Sequence, residues 1–208
     1  MGKLCLPYAL QGMLSWRDGD WEEAERLFRR SHELAEQVGW SEVAFSALFG
    51  LAITLRDSGD VMGATTALGQ ALDVCERAGL IAQSIQATSA RAVTLALAGK
   101  DAQAREAAEE AVTLSERLHY PIGRAAALEA DGATSEGEDA LALLREAREQ
   151  WTALDRPLDA ARCALLTGRA LRSVDAEAAA EALEEARAEY ERAGVRHQAQ
   201  RARDLAAS

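Results

Sequence analysis

The fold can be read from the stretch Asp60-Val61-Met62-Gly63-Ala64-Thr65-Thr66-Ala67-Leu68-Gly69-Gln70-Ala71, because its spacing recurs along the whole chain. After the turn comes an Ala, then an apolar residue four positions on, and then a small residue three positions further. The five repeated alanines are Ala24, Ala64, Ala104, Ala140 and Ala179, at spacings of 40, 40, 36 and 39 residues. A period of this length is typical of stacked helix pairs, since one pair cannot bury its apolar face alone.

The pattern predicts an all-α, right-handed superhelical solenoid of about five helix pairs and a final helix. Ala, Leu, Glu and Arg are abundant and there are only 3 Pro, which favours helices over sheets. We expect one domain over residues 1–208. Its units are predicted at about 4–39, 40–79, 80–119, 120–155 and 156–194, followed by an end helix over 195–207.

Within each unit, the first helix is expected to follow a Gly or its substitute and the second to follow a short turn. The first helices are predicted over 7–17, 41–57, 81–98, 121–131 and 157–172, and the second helix of the first unit over 21–38. Gly39, Gly79 and Gly194 suit left-handed helix ends, which Gly adopts without strain. His119 and Asp155 replace Gly in the other two units.

The fourth unit is about four residues short and contains two Gly and two hydroxyl residues between Asp131 and Glu138. Such a composition is poor in a helix interior, so residues 131–138 are predicted to form a loop. One interpretation is a trimmed helix with a longer connection. The other is a hinge or ligand-binding loop, because loops on rigid scaffolds often carry function.

Composition excludes several function classes. The net charge is −11, so the chain offers little to bind phosphate backbones, and we expect no direct binding of nucleic acid. The three cysteines are far apart and form no paired motif, which indicates a reducing compartment. No apolar run approaches the ~20 residues that span a bilayer, and no secretory signal is present. We therefore expect a cytoplasmic protein that does not bind membranes.

The search for catalytic chemistry finds no converging set of residues. The pair Gly99-Lys100 resembles the end of a phosphate-binding loop, but position 94, where that motif requires Gly, holds Thr94. His32, His119 and His197 each lack a second ligand three or four residues away, so a surface or packing role is expected instead of metal binding. We predict no enzyme activity, no metal and no cofactor.

Helix pairs with a Gly-Asp turn, an Ala, a large apolar residue and a small residue resemble the tetratricopeptide repeat family. The lengthened period resembles the C-terminal helical arrays of large ATP-binding LuxR-type, maltose-regulator-like bacterial transcription regulators. Residues 149–162, Glu-Gln-Trp-Thr-Ala-Leu-Asp-Arg-Pro-Leu-Asp-Ala-Ala-Arg, are similar to their penultimate repeat, and 190–194 with 200–205 to their last. In that group a DNA-binding helix-turn-helix domain follows. The resemblance therefore implies either the repeat region of a larger regulator or a separate relative.

In tetratricopeptide arrays the first helix of each pair lines a concave face, and the resemblance implies the same here. The binding residues expected there are Met13, Trp16, Arg17, Phe49, Ile53, Arg56, Val93, Leu97 and Arg172. Such an apolar stripe edged by Arg suits an amphipathic or extended peptide with a carboxylate. The other interpretation is that many of these side chains pack between neighbouring helices. Trp21, Trp40 and Trp151 are expected outside the stripe, bracing adjacent repeats with their indole N–H groups on carbonyls.

The sequence thus predicts a non-enzymatic scaffold that binds a protein, a peptide or a small effector in its concave groove. The leading interpretation is the sensor or interaction region of a LuxR-type regulator. The alternative is a stand-alone cytoplasmic adaptor for protein assembly. A homodimer is also conceivable, because the N-terminal unit begins abruptly with apolar residues around Leu4 and Leu6.

Overall fold

A computed structural model describes residues 4–207, which form eleven α-helices and no strand. The predicted all-α solenoid of helix pairs is confirmed. The helices are α1 (Cys5–Asp18), α2 (Trp21–Val38), α3 (Ser41–Ser58), α4 (Val61–Ala78), α5 (Ile81–Leu97), α6 (Asp101–Leu118), α7 (Pro121–Thr134), α8 (Gly137–Ala153), α9 (Pro157–Leu171), α10 (Ala176–Arg192) and α11 (Arg196–Ala207).

Short turns with defined caps separate the helices. Asp60 accepts a hydrogen bond from the backbone N of Gly63 at 2.8 Å, which satisfies a free donor at the start of α4. Gly39 and Gly79 end α2 and α4 with φ values of 69° and 67°, as predicted. His119 takes the same left-handed conformation at 49°, although an L side chain is strained there. Most predicted helix ends are within two residues of the observed ones.

The residues that repeat in the sequence form the hydrophobic core. All five repeated alanines are at most 3% exposed, because neighbouring helices approach closely at these positions. A large apolar side chain fills the space beside each close approach. Phe28 is the clearest case, since a Cβ at Gly50 would lie 2.4 Å from its ring and one at Gly12 would lie 3.1 Å from it. These glycines allow α1, α2 and α3 to share one buried ring.

The prediction of a loop over residues 131–138 is wrong for most of that stretch. Helix α7 continues to Thr134 and α8 begins at Gly137, so the break contains only Ser135 and Glu136. Gly132 is tolerated because α8 crosses closely beside it. A Cβ at that position would lie 2.8 Å from Cγ of Leu144 and 3.0 Å from the Leu144 backbone N. Close helix packing, which the local composition does not reveal, outweighs the cost of a helical glycine.

The two ends of the solenoid meet. Helix α11 packs against α10 and also contacts α1, so the chain of helices closes on itself. The ring of His197 on α11 lies edge-on to Trp16 and Trp21, with centroid separations of 5.3 and 4.5 Å. The sequence gives no sign of this contact, because the two ends are about 180 residues apart. Within residues 4–207, no helix combines the length and apolarity needed to cross a bilayer.

Candidate functional site

Because the ends meet, the first helices of the pairs surround a central groove of about 480 Å³. Side chains from α1, α3, α5, α7, α9 and α11 line it, and a few from second helices close its base. A volume of this size falls within the range of about 300–1,000 Å³ that is typical of small-molecule and cofactor sites. The groove is therefore the candidate functional site.

Seven of the nine predicted binding residues line this groove. They are Met13, Trp16, Phe49, Ile53, Arg56, Val93 and Leu97. Arg17 and Arg172 do not line it. Arg17 is exposed and lies 3.5 Å from Asp18, whereas Arg172 caps the C-terminal end of α9. Both were expected in the groove, but they lie at the ends of α1 and α9, beyond the residues that line it.

One side of the groove is apolar and open to solvent. Leu10 and Met13 on α1 are 53% and 57% exposed. Phe49 and Ile53 on α3 are half-buried, and Phe45 stacks on Phe49 with ring centroids 5.7 Å apart. Exposed large apolar side chains that face a shared hollow are typical of a binding surface, since burying them against a ligand releases ordered water.

The opposite side is charged and internally paired. Glu129 is buried and accepts hydrogen bonds from Trp151 Nε1 at 3.0 Å and from Arg162 Nη2 at 2.8 Å, with a second contact from Arg162 Nε. Arg162 Nη2 also donates to Asp159 at 2.8 Å, and Arg156 donates to Asp159 at 2.9 Å. The network fixes Arg162 at the wall of the groove because both of its acidic partners are held in place.

These contacts shift the pKa values of the network. Burial disfavours the charged form of Asp159, but the charges and hydrogen bonds of Arg162 and Arg156 outweigh it and lower the pKa. Burial also opposes the charge on Arg162, yet Glu129 and Asp159 raise the pKa of its guanidinium well above the usual value. Asp159 and Arg162 therefore stay ionised at neutral pH.

A second buried ion pair lies where the ends of the solenoid meet. Asp57 on α3 is buried and accepts hydrogen bonds from Arg56 Nε at 3.0 Å and from Trp16 Nε1 on α1 at 3.0 Å. Nε2 of His197 on α11 lies 3.9 Å away, an electrostatic contact without hydrogen-bond geometry. Burial would raise the pKa of Asp57, but these neighbours, led by Arg56, hold it well below its usual range. Arg56 lines the groove, whereas the Asp57 side chain is buried and does not line it.

The groove also contains an unused polar group. The hydroxyl of Ser89 on α5 is buried, lines the groove and finds no hydrogen-bond partner among the described residues. A buried hydroxyl without a partner costs about 1–3 kcal/mol. A ligand carbonyl or amide that reached Ser89 would remove this cost.

The sequence prediction missed the groove residues on the later helices. They are Ala126, Glu129, Trp151, Arg156, Leu158, Asp159, Arg162, Leu165, Leu166, Tyr190, Gln198 and Arg201. A usable signal was present for two of them. The position eleven residues after the repeated Ala holds Ala35, Cys75 and Ser115 in the first three units, but Trp151 and Tyr190 in the last two. Trp151 was expected outside the stripe with its indole on a carbonyl, and this is wrong, because its partner is the Glu129 carboxylate.

Comparisons with known proteins agree with the fold. No protein-family model matches the sequence, and no curated protein matches it significantly. The structure is similar to that of a Rap protein complexed with Competence and Sporulation Factor, with a TM-score of 0.67 and 17% identity over 88% of this chain and 54% of that one. It is also similar to the apo form of RapI, with a TM-score of 0.68 and 10% identity over 99% of this chain and 82% of that one.

A third similar structure is a Podosopora anserina putative kinesin light chain with nearly identical TPR-like repeats. Its TM-score is 0.55 and its identity 16%, over 92% of this chain and 96% of that one. At these identities the likenesses show the fold alone, which is that of TPR-like helical repeat proteins. The chain spans about half the length of the Rap protein in the complex.

The buried Asp57 pair yields a stability prediction. Asp57→Asn should reduce the free energy of unfolding by about 3–5 kcal/mol, because Arg56 then stays buried without a counter-charge. The matched control, Asp18→Asn, removes an exposed carboxylate 3.5 Å from Arg17 and should change the free energy of unfolding by less than about 0.5 kcal/mol. Urea denaturation at pH 7 measures both, and equal effects would contradict this account of Asp57.

The same pair gives a pH dependence. The folded pKa of Asp57 lies below the unfolded value of about 3.9, so its contribution is full above that value and is lost as the pH falls through the folded pKa. The difference in stability between the wild type and Asp57→Asn should therefore shrink as the pH falls from about 5 to 3. A difference that stays constant over this range would show that the Asp57 charge does not contribute.

Proposed function

We propose that this chain is a non-enzymatic scaffold that binds a peptide, or an extended segment of a partner protein, in its central groove. The observation that carries the proposal is the solvent-exposed apolar wall that Leu10, Met13, Phe49 and Ile53 form in the central groove. A folded domain could not enter a groove of about 480 Å³, whereas a few side chains of an extended segment could.

The distribution of polar groups supports a peptide over a purely apolar effector. Ser89 offers an unpaired hydroxyl, and Gln86 on the same helix offers an amide at the groove wall. Peptide backbones carry a donor and an acceptor on nearly every residue, and these need partners once they are buried. A groove with apolar walls and scattered polar groups meets both needs of a short peptide.

The structural neighbours lend support at the level of the fold. One similar structure is that of a Rap protein complexed with Competence and Sporulation Factor, so an array of this architecture holds a partner in at least one known case. That chain is longer than this one, and its partner is a property of that protein. For this chain the likeness supports partner binding as the general role and leaves the identity of the partner to experiment.

The wider context that we propose is the cytoplasmic sensor region of a LuxR-type bacterial regulator, with a stand-alone adaptor as the alternative. The support for the regulator is the sequence resemblance over residues 149–162, 190–194 and 200–205. The joined ends provide a mechanism in which a ligand that favours either the closed or an open arrangement shifts the curvature of the solenoid. That shift would bias any domain attached to α1 or α11.

Two neighbouring residues on α1 test the groove. Met13 lines the groove and is 57% exposed, whereas Leu14 is 51% exposed and does not line it. We first select peptides that bind the wild type from a synthetic random hexapeptide library. Met13→Asp should lower the affinity for these peptides by at least about tenfold, because a buried charge would replace an apolar contact. Isothermal titration calorimetry measures the affinities. Leu14→Asp is the matched control, and a similar loss in both variants would place binding elsewhere.

The regulator context predicts the size of the native gene product. An immunoblot of host lysate with antibody against this segment should show a band several times larger than the 22.3 kDa of this chain. A band near 22.3 kDa would contradict the regulator proposal and favour the adaptor. The groove proposal does not depend on this result, because it rests on the geometry of the segment itself.

A further inference from the structure

Three buried side chains on the groove wall have hydrogen-bonding groups that the described part of the chain leaves unused. They are Arg56 on α3, Tyr190 on α10 and Gln198 on α11, each at most 8% exposed and each lining the groove. Arg56 uses only its Nε, and the Tyr190 hydroxyl and the Gln198 amide form no hydrogen bond within residues 4–207. Buried polar groups normally have partners, so three unused groups on one groove indicate a ligand.

Contacts around the buried Asp57 bring Arg56 close to Gln198. The two carboxylate oxygens of Asp57 accept hydrogen bonds from Arg56 Nε and from Trp16 Nε1, each at 3.0 Å. Nε2 of His197 lies 3.9 Å from the oxygen that Trp16 contacts, and Gln198 is the next residue on α11. Arg56 and Gln198 therefore lie where the two ends of the solenoid meet.

Tyr190 reaches the same region from the second helix of its pair. Trp16 packs against the buried cluster that contains Tyr190, Val195 and Ala199. Burial raises the pKa of the Tyr190 phenol well above its usual value, so the hydroxyl stays protonated at neutral pH. It can therefore donate one hydrogen bond and accept another. We call Arg56, Tyr190 and Gln198 together the polar end of the groove.

The charge at the polar end favours a neutral ligand group. Burial opposes the charge on Asp57, but Arg56 and the other neighbours hold its pKa well below the usual range, so Arg56 already has an ionised partner. A ligand carboxylate on Arg56 would face Asp57 across the same guanidinium and would lose its own hydration. A neutral group avoids both costs. Arg201 also lines the groove, but it is only half-buried and remains partly hydrated.

We propose that the polar end of the groove binds the side-chain amide of an Asn or Gln residue in the peptide ligand. This inference rests on the proposed function and specifies its ligand. A side-chain amide carries an acceptor oxygen and an NH₂ donor on one carbon. The oxygen complements Arg56, which only donates, the NH₂ group complements the side-chain oxygen of Gln198, and Tyr190 can serve either. The neighbouring ligand residues would then lie along the apolar wall on α1 and α3.

The experiment uses three synthetic hexapeptide libraries with blocked ends, so that no terminal charge takes part. One position, placed at each site of the peptide in turn, is Asn or Gln in the first library, Asp or Glu in the second and Leu in the third. The other positions vary among uncharged residues without amides. Affinity selection with mass spectrometry on the full chain measures enrichment. We expect the wild type to enrich the amide library at least about tenfold over each of the others, as two neutral hydrogen bonds would give.

Two substitutions remove single polar groups from the site. Tyr190→Phe deletes only a hydroxyl, and Gln198→Met replaces the amide with an apolar side chain of similar length. Each should lower the amide preference at least about threefold, and the double variant should abolish it. If the preference survives the double variant, the site is overturned.

Tyr120→Phe is the matched control, because Tyr120 is half-buried, lies outside the groove and forms no side-chain hydrogen bond with the described residues. It should leave the preference intact, and a similar loss there would overturn the site. A melting curve separates a binding role from a structural one. Tyr190→Phe should melt at the wild-type temperature or higher, because its hydroxyl has no partner in the free protein. A lower melting temperature would show an internal partner and overturn the role of Tyr190.

The outcomes separate this inference from the proposed function. Equal enrichment of the three libraries, with Met13→Asp still abolishing binding, would overturn the amide site and leave the peptide groove standing. Strongest enrichment of the acidic library would also overturn it, because a carboxylate would then be the preferred group. If no library is enriched on the wild type, both proposals fail.

Discussion

The carboxylate of Asp57 joins three helices that are distant in sequence, and the groove depends on it. It accepts a hydrogen bond from Trp16 on α1, pairs with Arg56 on its own helix α3 and lies 3.9 Å from His197 on α11. An isolated buried carboxylate would be unstable, but this one is paired and hydrogen-bonded. Because the ends of the solenoid meet here, the inner helices enclose a hollow instead of an open concave face.

The two sides of that hollow differ because their helices have different neighbours. On α1 and α3 the inward side chains are apolar and partly open to solvent, since Met13 is 57% exposed and Phe49 is half-buried. On α7 and α9, Glu129 and Arg162 satisfy each other and form a rigid polar wall. A ligand with apolar side chains would complement the first of these sides.

Much of the fold could be predicted from the sequence, because the repeat spacing encodes close helix packing directly. Ala24 and its four counterparts are buried as the pattern requires. The groove wall on α1, α3 and α5 followed from the same register. The rest depended on contacts that no local pattern contains. Gly132 stays helical because Leu144 crosses beside it, and Trp151 turns inward because Glu129 accepts a hydrogen bond from its indole N–H. The meeting of Trp16 with His197 depends on the accumulated curvature of eleven helices.

The meeting of the two ends is tested most directly by a nuclear Overhauser experiment on the free chain in solution, with labelled histidine, tryptophan and phenylalanine. The closed arrangement places the His197 ring edge-on to the indoles of Trp16 and Trp21, at centroid separations of 5.3 and 4.5 Å. It predicts cross-peaks from the His197 ring protons to both indoles. If these cross-peaks are absent while those between Phe45 and Phe49 are present, the solenoid is open and the enclosed groove does not exist.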